Sequence, residues 1–179
     1  VEYLGSHTGF PFGRYHYTNR LWPQLGNVPL LIPVAWLMML PPAWAIAQAI
    51  AAEQRLLFVG AGALAFTTWD LFLDPQMVGE GYWVWARRGM YRGIPLGNFV
   101  GWFLTGLGVM AALEVLLPPD RYSDASADAD GALVAEYTFM GVMETVGFAR
   151  YFRDPAVAIV GGIGMLPLAG AALIGKLRG

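Results

Sequence analysis

The sequence predicts an all-α fold: a polytopic bundle of about five transmembrane helices, with interfacial or re-entrant segments at one mouth. Three observations predict it. Apolar residues make up 56% of the 179 positions and charged residues only 13%, about half the roughly 25% that covers a water-exposed globular domain. The mean hydropathy is +0.48, so much of the outer surface must face something other than water. Five apolar stretches, at about 28–50, 56–73, 98–117, 133–151 and 156–175, approach the roughly 20 residues needed to cross a hydrocarbon core of about 30 Å. The whole chain, 1–179, is expected to form a single transmembrane domain.

Taken in order, the first stretch carries Pro29 and Pro33 in its opening turns and Pro41 and Pro42 in its middle. The first two cost little there, and the second two are expected to kink or break the helix. The second stretch ends on Asp70 and Asp74, with Pro75 expected to stop it. Asn98 and Trp102 share a face at the start of the third. Residues 118–132 are polar and acidic and read as a flexible loop. Glu136, Met140 and Glu144 stack along the fourth stretch, with Glu144 toward the same end as the aspartates. Short connections after the first and fourth stretches make those neighbours antiparallel.

Residues 1–27 and 74–97 mix Gly, Pro, aromatic and charged residues. They are too apolar for solvated loops and too broken for spanning helices, and both are expected to cover the same mouth. That side collects Arg14, Arg20, Arg87, Arg88, Arg92, Arg150 and Arg153, against Arg55, Arg121, Lys176 and Arg178 on the other. The excess of positive residues places the mouth at the cytoplasmic face of the cell membrane, in a multi-pass arrangement.

Several function classes drop out. A net charge of −2 argues against nucleic acid as a partner. There is no cysteine, hence no thiolate chemistry. His7 and His16 are the only histidines, which disfavours a histidine-rich metal site. The run Gly60-Ala-Gly62-Ala-Leu-Ala65 imitates a dinucleotide fingerprint but lies inside an apolar span with no βαβ pattern, so close helix packing explains it better. Gly97 and Gly101 carry the same packing reading. The stretch 126–131 hints at a calcium loop but has Ser126 where the first aspartate belongs and Tyr137 where the closing glutamate belongs.

The ionisable residues of the apolar stretches are what carries chemistry. Asp70 and Asp74, four apart, share one helical face beside Trp69. Carboxyls inside spans are costly and face the bundle interior, a cavity or a partner. For any one of them an interhelical clamp to Arg14, Arg87 or Arg150 explains as much as chemistry does. Gathered at one mouth, Asp70, Asp74, Asn98 and Glu144 favour a site. Trp69 and Trp102 lie on the same polar faces and suit an apolar substrate slot. Tyr15, Tyr17, Tyr82, Trp83 and Trp85 also fit an aromatic belt, the better reading for Trp83 and Trp85.

These residues carry a resemblance. The segments 68–75 (Thr-Trp-Asp-Leu-Phe-Leu-Asp-Pro), 81–85 (Gly-Tyr-Trp-Val-Trp) and 93–102 (Gly-Ile-Pro-Leu-Gly-Asn-Phe-Val-Gly-Trp) look like those of the CruF-type carotenoid 1,2-hydratases. So do 8–17 and 28–36; the similarity runs from about Glu2 to Trp102, and the remainder matches mainly in hydropathy. Members of that family are usually longer at the N-terminus, which implies a truncated start here and a helix preceding it. The resemblance implies addition of water to the terminal C1,C2 double bond of an acyclic carotenoid. It also implies membrane lipid and the carotenoid as partners, with other carotenoid-biosynthesis enzymes as further ones. It does not by itself identify catalytic residues.

Hydrating such an alkene means protonating the less substituted carbon and trapping a tertiary cation with water. A poorly solvated carboxyl can hold the proton, and a second, ionised one can face the cation. The expected catalytic set is therefore Asp70 and Asp74 as the pair, Asn98 orienting water and Glu144 as a lesser candidate. Trp69, Tyr82, Trp102, Tyr15 and Arg14 form the expected substrate-binding set, the aromatics offering their π faces to the cation. No metal or redox cofactor is required. Two rivals remain: an intramembrane prenyltransferase, in which Asp70 and Asp74 hold magnesium and a diphosphate, and a non-catalytic transporter or structural subunit. The first needs a second aspartate-rich motif, and no other span carries one.

Overall fold

A computed structural model describes residues 1–117 and 124–178. Seven α-helices account for most of it: α1 (Glu2–Thr8), α2 (Leu31–Ala51), α3 (Arg55–Thr68), α4 (Asp70–Gly79), α5 (Leu96–Leu116), α6 (Asp124–Val146) and α7 (Pro155–Arg178). Four stretches among the described residues are long and apolar enough to cross a membrane: Leu31–Ala51, Arg55–Gly79, Leu96–Leu116 and Pro155–Lys176. The expected fifth, α6, is a 23-residue helix packed against α2 and α7. Its Asp128, Asp130, Glu136 and Glu144 keep it out of that apolar group. A π-helical turn, Gly147–Tyr151, joins it to α7.

The sequence expectation of a loop over 118–132 is corrected from Asp124 onward, where the chain is helical; residues 118–123 lie outside the described ones. The alanines at 125, 127, 129 and 132 supply helix propensity that the polar composition masked. Pro41 and Pro42 do not break α2, which runs unbroken over 21 residues. Met39, Ala43 and Ile46 on its inner face are fully buried, and packing against α3, α6 and α7 holds the helix where two missing N–H groups weaken it.

Pro75 likewise fails to end its helix, since α4 continues to Gly79. A proline leaves the carbonyl four residues earlier without its helical donor. That carbonyl belongs to Leu71, and the Tyr91 hydroxyl donates to it at 2.7 Å. The discontinuity falls instead at Trp69, between α3 and α4. There the Ala65 carbonyl accepts the hydroxyls of Tyr137 from α6, at 3.0 Å, and of Thr68, at 3.1 Å. Side chains inserted into a helical ladder are a recognised cause of such breaks.

Small residues bring the helices together. A side chain at Gly62 would collide with Met110 of α5, and one at Gly161 with Phe72 of α4, so α3–α5 and α4–α7 pack at close range. The packing reading of Gly62 therefore stands. Gly101 instead abuts Pro11 and Phe12, and Gly97 faces open space, so that pair is not a helix–helix seam.

The two irregular segments meet over one end of the bundle. Strand β1 (Tyr15–Tyr17) pairs antiparallel with the strand Trp83–Trp85, the last of four short strands and hence β4, in the register Tyr15–Trp85, His16–Val84 and Tyr17–Trp83. Hydrogen bonds from Thr18 N–H to the Tyr82 carbonyl (2.8 Å) and from Ala86 N–H to the Arg14 carbonyl (2.9 Å) extend the pairing. Strands β2 (Gln24–Leu25) and β3 (Val28–Pro29) form a second two-stranded hairpin leading into α2. At the same end Arg92 forms an ion pair with Asp154.

Candidate functional site

Alternation in the β1–β4 ribbon decides which side chains face inward. Tyr15, Trp83 and Trp85 are buried, while His16 and Val84 are exposed, as expected when successive strand residues point to opposite faces. The ribbon thus lays Tyr15, Tyr17, Trp83 and Trp85 over the inner ends of α2, α4 and α5. Beneath them lies a cavity of ≈ 40 Å³, enough to hold a water, which needs roughly 10–15 Å³. The bundle contributes Trp36, Trp69, Asp70, Asp74, Asn98 and Trp102 to its wall. The interfacial-belt reading of Trp83 and Trp85 is therefore corrected: both are buried walls of this cavity. A three-residue strand is too short to announce itself by periodicity, and an aromatic-x-aromatic triplet suits an interface equally well.

The two aspartates occupy unlike surroundings. Asp70 is 6% and Asp74 4% exposed. Asp74 accepts a hydrogen bond from the Asn98 amide, itself 2% exposed, and the Trp83 indole supplies a second donor. Asp70 Oδ2 has no protein partner. Of the arginines expected to clamp them, none does so; among the described residues the ion pair is Arg92–Asp154.

A third carboxyl reaches the cavity that sequence reasoning missed. Glu2, on α1, accepts hydrogen bonds through Oε2 from Tyr15 (2.7 Å) and Tyr17 (2.6 Å), while its Oε1 has no protein partner. Burial, then the neighbouring Glu2 carboxylate, push both phenols above their ordinary range, so they remain donors at neutral pH. Nothing in the spacing of Glu2 signals this role, because tertiary contacts of α1 with β1 and β3 bring it there. Trp36 was missed likewise; its ring packs 4.1 Å from that of Trp102, centroid to centroid.

Of the expected site residues, Asp70, Asp74, Asn98, Trp69, Trp102 and Tyr15 converge on this cavity. Glu144, Tyr82 and Arg14 are not among its walls. Glu144 lies on α6, which packs chiefly on α2 and α7; a place toward the same end of a stretch does not give a shared direction. Tyr82 falls on the alternate side of β4 and packs under Arg20, 5.5 Å above its ring. Arg14, adjacent to inward Tyr15, is exposed. Asn98 is committed to Asp74 through its amide nitrogen, so it holds the carboxylate before it can hold a water.

A second, larger hollow of ≈ 740 Å³ adjoins the cavity, sharing Glu2 and Trp36 with it. Its remaining wall is apolar, built mainly from Val28, Leu30, Pro33, Leu37 and Leu40. Residues 30 to 40 span roughly 15 Å of helix. The aromatic cavity therefore opens beside a hydrocarbon-lined groove along α2.

The chain is similar to a bisanhydrobacterioruberin hydratase from Haloarcula japonica, with 33% identity over 113 residues, covering 59% of this chain and 37% of that protein. The match thus spans little more than a third of the relative's length. No solved structure matches the chain. A sequence model of the family described as "Carotenoid biosynthesis protein" matches residues 1–167, and the chain, a helical membrane protein, belongs to that family.

Proposed function

We propose that the protein adds water to the terminal C1,C2 double bond of an acyclic carotenoid end group, as a multi-pass enzyme of the cell membrane. The observation that carries this reading is the pairing of Asp70 and Asp74 in one water-sized, aromatic-walled cavity, one aspartate held by donors and the other with an oxygen free. Asp70, buried and unpartnered at Oδ2, is suited to carry the proton delivered to C2. Asp74, fixed by Asn98 and Trp83, is suited to remain an anion facing the cation that develops at C1. The π faces of Trp36, Trp69 and Trp102 surround the same space and add cation–π stabilisation, worth about 0.5–2 kcal/mol per ring.

The apolar groove along α2 suits the polyene. A carotenoid is about 30 Å long, comparable with the hydrocarbon core, and would lie along the membrane-facing side of α2 with one end turned in past Trp36. Similarity to a named hydratase supports the reaction class. The prenyltransferase alternative draws only on the Asp70–Asp74 spacing. Expression in a host that accumulates acyclic carotenoids separates the two. A hydroxylated, more polar pigment supports hydration, a chain-lengthened pigment supports prenyl transfer, and an unchanged pigment leaves a non-catalytic subunit.

A further inference from the structure

The cavity wall holds three buried polar atoms without a protein partner: Glu2 Oε1, Asp70 Oδ2 and the Trp85 indole Nε1. Glu2 Oε1 accepts and the indole donates, while Asp70 Oδ2 donates as long as it carries the proton and accepts once it has given it up. A buried water typically makes two to four hydrogen bonds to such otherwise unsatisfied groups, and a cavity of ≈ 40 Å³ exceeds the roughly 15 Å³ one water needs. Buried polar atoms of this kind are ordinarily satisfied by protein or by ordered water. Resting on the hydratase reading above, we propose that these atoms hold the attacking water and that Glu2 is the base that takes its proton.

The step balances. Asp70 gives its proton to C2 of the alkene, and the π electrons form the C2–H bond, leaving a tertiary cation at C1. Water oxygen bonds to C1 while one of its protons passes to Glu2 Oε1. The product is the tertiary alcohol, and the proton on Glu2 returns to Asp70 through water in the shared cavity. Asp74 is assigned to face the cation at C1, which leaves Glu2, whose Oε1 has no protein partner, as the carboxylate available to take the water proton. The phenols of Tyr15 and Tyr17 fix the opposite oxygen of Glu2 at 2.7 and 2.6 Å, which orients Oε1 toward the cavity. A purely structural role for Glu2, tying α1 to β1 through those same two bonds, is the competing account.

Glu2→Gln tells them apart, since its amide oxygen still accepts from the tyrosines while the base is lost. The full chain in lipid nanodiscs is given an acyclic carotenoid in deuterated water, and alcohol formation and deuterium exchange at C2 of recovered substrate are both followed. Without the base, the cation formed by Asp70 returns its proton, now scrambled with solvent. The expected result is alcohol formation reduced about a hundredfold or more, with exchange into unreacted alkene retained. Trp85→Phe should raise the ratio of exchange to alcohol in the same direction, and it supplies the test should Glu2→Gln not fold. Alcohol formation by folded Glu2→Gln within threefold of wild type overturns the proposal, as does parallel loss of exchange and hydration. Wild-type protein that neither hydrates nor exchanges overturns the hydratase reading itself.

Discussion

The Asn98 side-chain amide donates to the Asp74 carboxylate in a contact buried from solvent on both sides. It joins α5 to α4 at the cavity wall. Asn98→Ala should lower stability by about 1–3 kcal/mol, the cost of an unsatisfied buried acceptor. It should also cut turnover while the carotenoid still binds. Chemical denaturation in detergent and carotenoid titration measure the two effects separately.

The Tyr91 hydroxyl stands in for the N–H that Pro75 lacks, donating to the Leu71 carbonyl; burial, then Asp154, push this phenol up to about 12. Tyr91→Phe should destabilise the protein by about 1 kcal/mol. In a Pro75→Ala background the helix regains its own donor, so the same substitution should cost less. A double-mutant cycle on unfolding free energies reads the difference.

Legibility from sequence divides along the same lines. Asp70 and Asp74 were legible because a four-residue spacing fixes a common helical face whatever the tertiary fold. The crowding of residues 1–27 and 74–97 at one mouth followed from composition. What needed the structure was direction around the bundle and pairing across long sequence separations. Glu144 was expected toward the same end as the aspartates but sits on α6, which packs chiefly on α2 and α7, and it does not line the cavity. Trp83 and Trp85 reach the cavity through the β1–β4 register, and Glu2 through its hydrogen bonds to Tyr15 and Tyr17. The persistence of α4 past Pro75 depended on Tyr91, a partner outside any local window.

Burial pulls the Asp154 carboxyl up, but the Arg92 hydrogen bond and the backbone N–H groups of Val157 and Ala156 outweigh it, holding it below the ordinary range. A group depressed in the folded state contributes stability above its unfolded pKa of about 3.9 and loses that contribution as pH falls through the folded value. Arg92→Met should therefore cost under about 1 kcal/mol at neutral pH, because the pair is partly exposed. The difference from wild type should shrink below about pH 4. Thermal unfolding between pH 3 and pH 7 checks the sign.

Leu37 lines the groove along α2 and is otherwise exposed. Leu37→Trp should fill part of that hollow without disturbing the core. Binding of an acyclic carotenoid, followed by the visible absorption of the polyene, should weaken about tenfold or more, equivalent to about 1.4 kcal/mol. Unchanged binding would place the polyene elsewhere.

The most direct test of the hydratase account is the rate at which Asp70→Asn and Asp74→Asn convert an acyclic carotenoid in nanodiscs. Both variants keep the side-chain shape while removing the acid or the charge. They should insert and fold like wild type yet lose about a hundred- to ten-thousandfold in rate, the usual cost of a positioned general acid. Wild-type activity should persist when divalent cations are chelated, and its alcohol made in deuterated water should carry deuterium at C2. Near wild-type hydration by both variants would contradict the account, leaving the aspartate pair a structural feature of the bundle.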